Sequence, residues 1–559
     1  MKHSDKLLHI VSRLFSPAAA GVWMWLMVAA LAVPNVWLSV TEPLSAAGKA
    51  ANVLLPVGIY ILLAFSSSKA GRTMLWCFPL MFFAAFQMVL LYLFGRSVIA
   101  VDMFLNLVTT NPSEAGELLG GIALIVMIVV VVFVPLISVG VVEAVRHTRL
   151  DQHTLRNGRR AGVIISVVGI GCLIWAYGSG NGYSVTRDLY PVNVFNNIRL
   201  AVERTIKTSR YAETSASYRF DAHSQRPDSV PELCVVVIGE TSRAADWQLM
   251  GLTELPTTPR LMREDGIAVF PNALSESNTT HKSVPMLLSE VTAADYDKDI
   301  YRVKSFITAF KEAGFHTSFI SNQQRNRSFI DFFGNEADVA EFVRDKVPDG
   351  AEVSDLDLLP VVDSIIASGR GKQLIVLHTY GSHYNYSDRY PRSMARFMPD
   401  DSSDPTPAGR PGLLNAYRNS ILVTDSLLCG VIERLRATGA YASVIYTSDH
   451  GEDIYDDSRE LFLHASPVPS MMQIHVPLFL WVSPRLDAAE PQLLEGARKN
   501  GHVAVSPSEH FFHTVLRLGG LATPRYDGGL DLTSPDMRPA PRLYLDDHNR
   551  AVPLESFDL

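Results

Sequence analysis

Ile122–Ile137 reads IALIVMIVVVVFVPLI, a run without a charge, an amide or a hydroxyl. A helix that packs on a water-soluble core shows a polar face at helical period, and this run has none. Hydrocarbon is therefore its expected surround. Working outward, four more long apolar runs occupy the first third of the chain. The predicted spans are about 20–41, 50–66, 73–95, 119–142 and 161–178. A hydrocarbon layer of ~30 Å takes ~20 helical residues, which every run but the marginal second supplies. The first span is too long for a removable signal peptide and lacks its cleavage site, so it reads as an uncleaved anchor.

The whole-chain averages hide this split. The chain has 559 residues, 48% hydrophobic, with a net charge of −8. Residues 1–180 hold 12 Lys/Arg and 7 Asp/Glu, a balance of +5, and the remainder carries −13. Ten cations lie on one side of the expected spans: Lys2, Lys6, Arg13, Lys69, Arg72, Arg146, Arg149, Arg156, Arg159 and Arg160. Only Lys49 and Arg96 lie in the opposite loops. The positive-inside rule then predicts a cytoplasmic N-terminus, and five crossings put everything after ~180 outside. The length argues for more than one domain. Mild acidity gives no reason to expect nucleic acid. Four cysteines exclude a disulfide-dense scaffold. Cys77 and Cys172 fall in spans, and Cys234 and Cys429 are expected as two separately buried thiols rather than one disulfide.

Residues 181–232 read as a connector. Asn193–Tyr211 has amphipathic helical spacing with a basic face, suited either to the outer leaflet or to packing on the soluble domain. Ser215–Pro231 is polar and contains proline, as a linker would. From 233 to 559 the pattern alternates. β-Rich runs at Leu233–Ile238, Thr317–Ile320, Leu374–Leu377, Ser443–Tyr446 and Val476–Val482 are separated by helical periods at about 302–313, 357–368, 413–437 and 507–518. This predicts an α/β domain with a mostly parallel central sheet. Ligands collect at the carboxyl ends of such strands.

Acidic and imidazole groups stand at those ends. Glu240 follows VVVIG, His378 and His383 lie in HTYGSH, Asp449 and His450 follow SVIYTS, and His464 lies in LFLHASP. Asn278–Pro285 (NTTHKSVP) reads as a loop entering a helix, with Pro285 in the first turn. Carboxylates and imidazole suit Zn²⁺ or Mn²⁺. A threonine hydroxyl is a poor nucleophile until a metal lowers its pKa. Physical chemistry alone leaves Thr279 and Thr280 equal.

The order GET, TxxSVP, HTxGSH, SDHGE resembles the membrane-bound phosphoethanolamine transferases of Gram-negative bacteria, in the alkaline phosphatase and sulfatase superfamily. The resemblance implies a five-helix membrane domain, a bridging segment and a sulfatase-like catalytic domain facing the periplasm from the inner membrane. It implies a catalytic zinc on Glu240, Thr280, Asp449 and His450, with Thr280 as nucleophile. His383 and His464 match residues that protonate a leaving group or hold a second zinc. Asn106, Thr110 and Glu114 match positions that bind the ethanolamine headgroup, and Arg327 stands where some relatives have a phosphate-facing lysine. The implied reaction moves phosphoethanolamine from phosphatidylethanolamine to a lipopolysaccharide, on lipid A or a core sugar, by an expected monomer. Three rival readings are phosphoglycerol transfer from phosphatidylglycerol, hydrolysis with water as acceptor, and a sensor built on an inactivated scaffold.

Overall fold

A computed structural model describes residues 17–94, 98–109, 123–180, 182–347 and 353–557. Contacts divide the chain into two compact units, with the change of unit after Glu203. The first unit is helical: α1 (Pro17–Thr41), α2 (Ala46–Ala64), α3 (Ala70–Trp76), α4 (Phe78–Phe94), α5 (Val101–Thr109), α6 (Ala123–Val145) and α7 (Gln152–Gly178). Four of these, α1, α2, α6 and α7, are long and apolar enough to cross a membrane, and the apolar pair α3 and α4, bent by 53° at the break between them, brings the number to five when counted as one span. The single run expected at 73–95 is thus broken at Cys77. Pro79 explains the break, because it offers no N–H to the carbonyl of Leu75 and its ring crowds that oxygen.

The fifth span also differs from expectation. It begins at Gln152, so Arg156, Arg159 and Arg160 lie in its first turns and not in a preceding loop. Asp151 caps it, accepting the Thr154 N–H at 2.8 Å. Hydropathy alone misses such turns because charged residues can be helical without being apolar. The buried face of α7 is Leu155, Gly158, Gly162, Ser166, Gly169 and Ala176, and it lies against α2. A Cβ on Gly169 would fall 2.5 Å from the Leu55 nitrogen. Lipid gives no hydrophobic reward for helix pairing, so close backbone approach does the holding.

Helix α8 (Val192–Ser209) buries Val194, Ala201 and Arg204, while Phe195, Val202 and Ile206 stay exposed. The segment expected as a linker, Ser215–Pro231, is instead packed into the second unit. Phe220 and Ala222 enter its core, and His223–Ser224 pairs with Leu521–Ala522. Buried Arg226 meets Glu232 at 2.9 Å and Glu490 at 2.7 Å. Those ion pairs are why a polar stretch is ordered here.

The second unit is built on a seven-stranded sheet. Its strands are β1 (Glu232–Gly239), β2 (Ile267–Val269), β3 (His316–Ser321), β4 (Val339–Phe342), β5 (Lys372–His378), β6 (Tyr441–Ser448) and β7 (Leu478–Val482), in the order β2-β7-β6-β1-β5-β3-β4. From β6 to β4 all neighbours are parallel, whereas β7 runs antiparallel to both β6 and β2. Every residue of β1 is buried. Its side chains alternate between two cores: Cys234, Val236 and Ile238 on one face, Leu233, Val235 and Val237 on the other. Helices α9 (Thr280–Leu288), α10 (Phe306–Glu312) and α13 (Pro507–Leu518) cover the first face. Helices α11 (Leu358–Ala367) and α12 (Arg410–Thr438) cover the second. Cys234 and Cys429 lie in opposite cores and are free. In the register, Ile238 pairs with both His378 and Thr447, and Gly239 with Ser448. Glu240 and Asp449 therefore leave adjacent strand ends together.

Candidate active site

Three turns and one helix start converge above β1. Thr241, directly after Glu240, has φ of +58°, costly for a β-branched residue. The distortion has a local use. The Thr241 N–H donates to Asp449 Oδ1 at 3.0 Å, and its hydroxyl donates to Glu240 Oε1 at 2.7 Å. Asp449 Oδ1 also accepts the His450 N–H at 2.7 Å, and Asp449 Oδ2 is buried with no hydrogen-bond partner among the described residues. His450 donates from Nδ1 to the Gly451 carbonyl at 2.8 Å, so its Nε2 carries the lone pair inward.

Thr280 is the first residue of α9. Its hydroxyl lies 3.1 Å from Glu240 Oε1 and 3.1 Å from His450 Nε2. Thr279 turns away, with its hydroxyl 3.0 Å from Ser277 Oγ. Geometry thus separates two residues that sequence physics left equal. Pro285 is the sixth residue of α9, a correction to the expected first-turn position. Its missing N–H would have met the His281 carbonyl, which accepts the Tyr296 hydroxyl at 3.4 Å instead.

The donor set fits a cation. Tetrahedral Zn²⁺ with bonds of about 2.0–2.1 Å needs donors about 3.3–3.4 Å apart. Here Asp449 Oδ2 to His450 Nε2 is 3.3 Å, Glu240 Oε1 to His450 Nε2 is 3.6 Å, and the two Thr280 distances are 3.1 Å. Electrostatics agree. Burial, with the Asp449 charge adding to it, pushes Glu240 up to about 7, and burial pushes Asp449 up to about 6. Burial and the nearby His464 press His450 down to about 3. Two buried carboxylates resisting ionisation beside a neutral imidazole are a set that a dication would stabilise.

The His464 ring packs against His450, tilted by 41° with centroids 4.3 Å apart, and the His383 ring centroid lies 6.0 Å from that of His464. Burial alone would lower the His464 pKa, but Glu452, 3.2 Å from its Nδ1, raises it overall. His383 is held well below the usual range by burial, then by the charges of His464 and Arg389. Its Nδ1 donates to the Tyr384 carbonyl at 2.7 Å, leaving Nε2 as the accepting nitrogen. Arg327 is exposed, with φ of +58°, and its N–H donates to Asp331 at 2.6 Å. Among the described residues, no hydrogen bond or ion pair joins it to the Thr280 cluster. Thr110 and Glu114 lie outside the described residues. Asn106 is on α5, its side chain likewise outside the description.

Two residues escaped the sequence reading. Glu452 orients His464 and accepts the Tyr386 hydroxyl. Gln323 donates to Glu240 Oε2 at 3.0 Å and to the Thr379 carbonyl at 2.9 Å. Its signal was available, since it follows β3 at a carboxyl end as Glu240 follows β1.

Residues 232–521 match the sulfatase family model. The Kdo(2)-lipid A phosphoethanolamine 7''-transferase of Escherichia coli K12 is 31% identical over 324 residues, 55% of this chain and 54% of that protein. The chain spans about half the length of the curated relatives it matches, and these are phosphoethanolamine transferases. Among solved structures, the integral membrane lipooligosaccharide phosphoethanolamine transferase A (EptA) from Neisseria meningitidis superposes with a TM-score of 0.69. That match covers 90% of this chain and 98% of EptA at 21% identity. The zinc complex of the C-terminal periplasmic domain of EcEptC from E. coli gives 0.55, over 61% of this chain and 97% of that one at 23% identity. Both likenesses speak for the fold: apolar helices followed by a sulfatase-like domain. With the family model covering more than half of its length, the chain belongs to the sulfatase family.

Proposed function

We propose that the chain moves phosphoethanolamine from phosphatidylethanolamine to a lipopolysaccharide hydroxyl or phosphate through a covalent adduct on Thr280. One observation carries this reading: a hydroxyl at a helix start, 3.1 Å from both a buried carboxylate and a buried imidazole, in a donor set spaced for a tetrahedral cation. The relatives' names supply the transferred group. Glu240, Thr280, Asp449 and His450 would hold Zn²⁺, which when bound lowers the pKa of a hydroxyl and offsets phosphoryl charge.

The chain's own residues do the rest. Thr280 gives up its hydroxyl proton to water, and its Oγ1 bonds to phosphorus while the bond from phosphorus to the diacylglycerol oxygen breaks. His464, whose charge Glu452 favours, gives that oxygen its proton. His383, kept neutral, takes the proton of the acceptor hydroxyl in the second displacement, which frees Thr280. The same two histidines are the candidates for a second zinc. Two steps suit a donor and an acceptor too bulky to bind together. Asn106, Thr110 and Glu114 would receive the headgroup, with the Glu114 carboxylate pairing the ammonium, and Arg327 would meet a phosphate. The basic loops support an inner-membrane chain with a cytoplasmic N-terminus and a periplasmic catalytic unit.

Intact-mass analysis tests this. Protein from phosphatidylethanolamine-containing membranes is expected to carry a phosphoethanolamine adduct that Thr280→Ala abolishes. An adduct persisting in Thr280→Ala would move the nucleophile, with Thr279 first in line. Free phosphoethanolamine without transfer would mark a hydrolase, and an adduct formed only from phosphatidylglycerol would mark the phosphoglycerol reaction.

A further inference from the structure

The reaction leaves one built feature of the membrane unit unused. Along the first turns of α7, Gln152, Arg156, Arg159, Arg160, Val163 and Ile164, with buried Leu155 at its floor, line an open groove of about 440 Å³. The residues are ordered along one helix face: polar at Gln152, cationic through the arginines, apolar at Val163 and Ile164. Spacings of three and four residues keep them on that face. Arg159 is committed to the fold, donating from Nε to the Phe65 carbonyl at 2.8 Å and from Nη2 to the Ser66 carbonyl at 2.6 Å. It thereby fixes the groove wall against the end of α2.

Arg156 and Arg160 are different. Both are exposed, one helical turn apart, and neither forms a salt bridge with a described residue. Asp151, the nearby acid, is occupied by the Thr154 N–H at 2.8 Å and the Thr154 hydroxyl at 2.6 Å. Beyond the arginines, Val163 and Ile164 are 52% and 63% exposed, as side chains facing acyl chains would be. A phosphodiester followed by a hydrocarbon tail has this same order of charge and apolarity. Zwitterionic lipid offers the phosphate but brings an ammonium that the arginines repel.

We infer that this groove is a binding site for an anionic phospholipid, its phosphate between Arg156 and Arg160 and its tails along Val163 and Ile164. The site lies in the membrane unit and is independent of the transfer reaction. Each arginine near a lipid surface contributes about fivefold to anionic-lipid affinity, so the pair gives roughly thirtyfold.

Native mass spectrometry of the full chain in detergent, titrated with phosphatidylglycerol or phosphatidylethanolamine, reads this directly. The expected result is one retained phosphatidylglycerol, preferred over phosphatidylethanolamine by roughly thirtyfold. Arg156→Gln/Arg160→Gln should bring the preference close to one, while Lys69→Gln should keep it. Equal retention of both lipids by the unaltered chain would overturn the site. So would a preference that survives the double substitution, or one that Lys69→Gln lowers equally. A photoactivatable phosphatidylglycerol on the unaltered chain gives an answer that needs no variant to fold. Crosslinks should fall in the 152–164 peptide, and labelling elsewhere but not there would refute the assignment.

Discussion

The two units bury their interfaces by opposite means. In the membrane unit, α2 and α7 meet through Gly58, Gly158, Gly162, Ser166 and Gly169, so that backbone lies almost on backbone. In the catalytic unit, the faces of β1 are filled with bulky side chains such as Phe306, Phe310, Phe319, Trp247 and Tyr446. The difference follows from solvent. Water rewards each buried apolar Å² by about 25 cal/mol, so large side chains hold a soluble core together. Lipid gives no such reward, and only close approach is left. The catalytic unit holds charge inside a stiff shell, as at Glu240, Asp449 and Glu452, while the contact between α2 and α7 depends on the absence of side chains.

Four changes would break or sharpen this contrast. The largest effect is expected at the buried charges. Asp449→Asn should weaken zinc binding to the purified chain by more than about 100-fold, a loss beyond that typical of outer-sphere partners. Calorimetric titration that finds unaltered affinity would remove Asp449 from the donor set. Next, Phe319→Ala deletes a fully buried ring from the catalytic core and should cost about 3–5 kcal/mol. Gly169→Leu makes the opposite change and should destabilise the membrane unit by about 1–3 kcal/mol through overpacking. Thermal unfolding in detergent separates them. If Gly169→Leu leaves the midpoint unmoved, the backbone contact with Leu55 is not what holds α7.

The fourth change concerns pH, and its effect is spread over several pH units. Burial pushes Glu276 up to about 8, opposed by hydrogen bonds from Ser508. A carboxyl raised in the folded state binds its proton more tightly there than in the unfolded chain. Its stabilising contribution is full below the unfolded pKa of about 4.3 and is lost as pH rises through about 8. Glu276→Gln should flatten that decline, whose slope cannot exceed about 1.4 kcal/mol per pH unit for one proton. Unfolding midpoints at pH 5, 6.5 and 8 would show parallel curves if Glu276 plays no part.

The sequence was most readable where one physical force dominates. Val235–Ile238 and Ala123–Ile137 are continuous apolar runs, and both formed the expected kind of element. Ile267–Val269 and Val339–Phe342 are too short to carry a period, so the two edge strands went unseen. The antiparallel course of β7 depends on pairing partners far along the chain, which no local pattern encodes. At the site, residue types at strand ends were visible, but orientation was not. Without the family resemblance, telling Thr280 from Thr279 needed the turn at Ser277, and the contacts of Gln323 needed the parallel register of β3 and β5.

Cys234 and Cys429, separated by the full thickness of the sheet, also bear on how the protein is made. Thiols on opposite faces of a packed sheet cannot meet, so maturation of the catalytic unit calls for no oxidant and no isomerase. Its yield should be the same in cells with or without an oxidative folding pathway, and thiol reductants should leave the finished protein unaffected. The domain is free to work in compartments, growth conditions and expression hosts that would leave a disulfide-dependent enzyme half-folded.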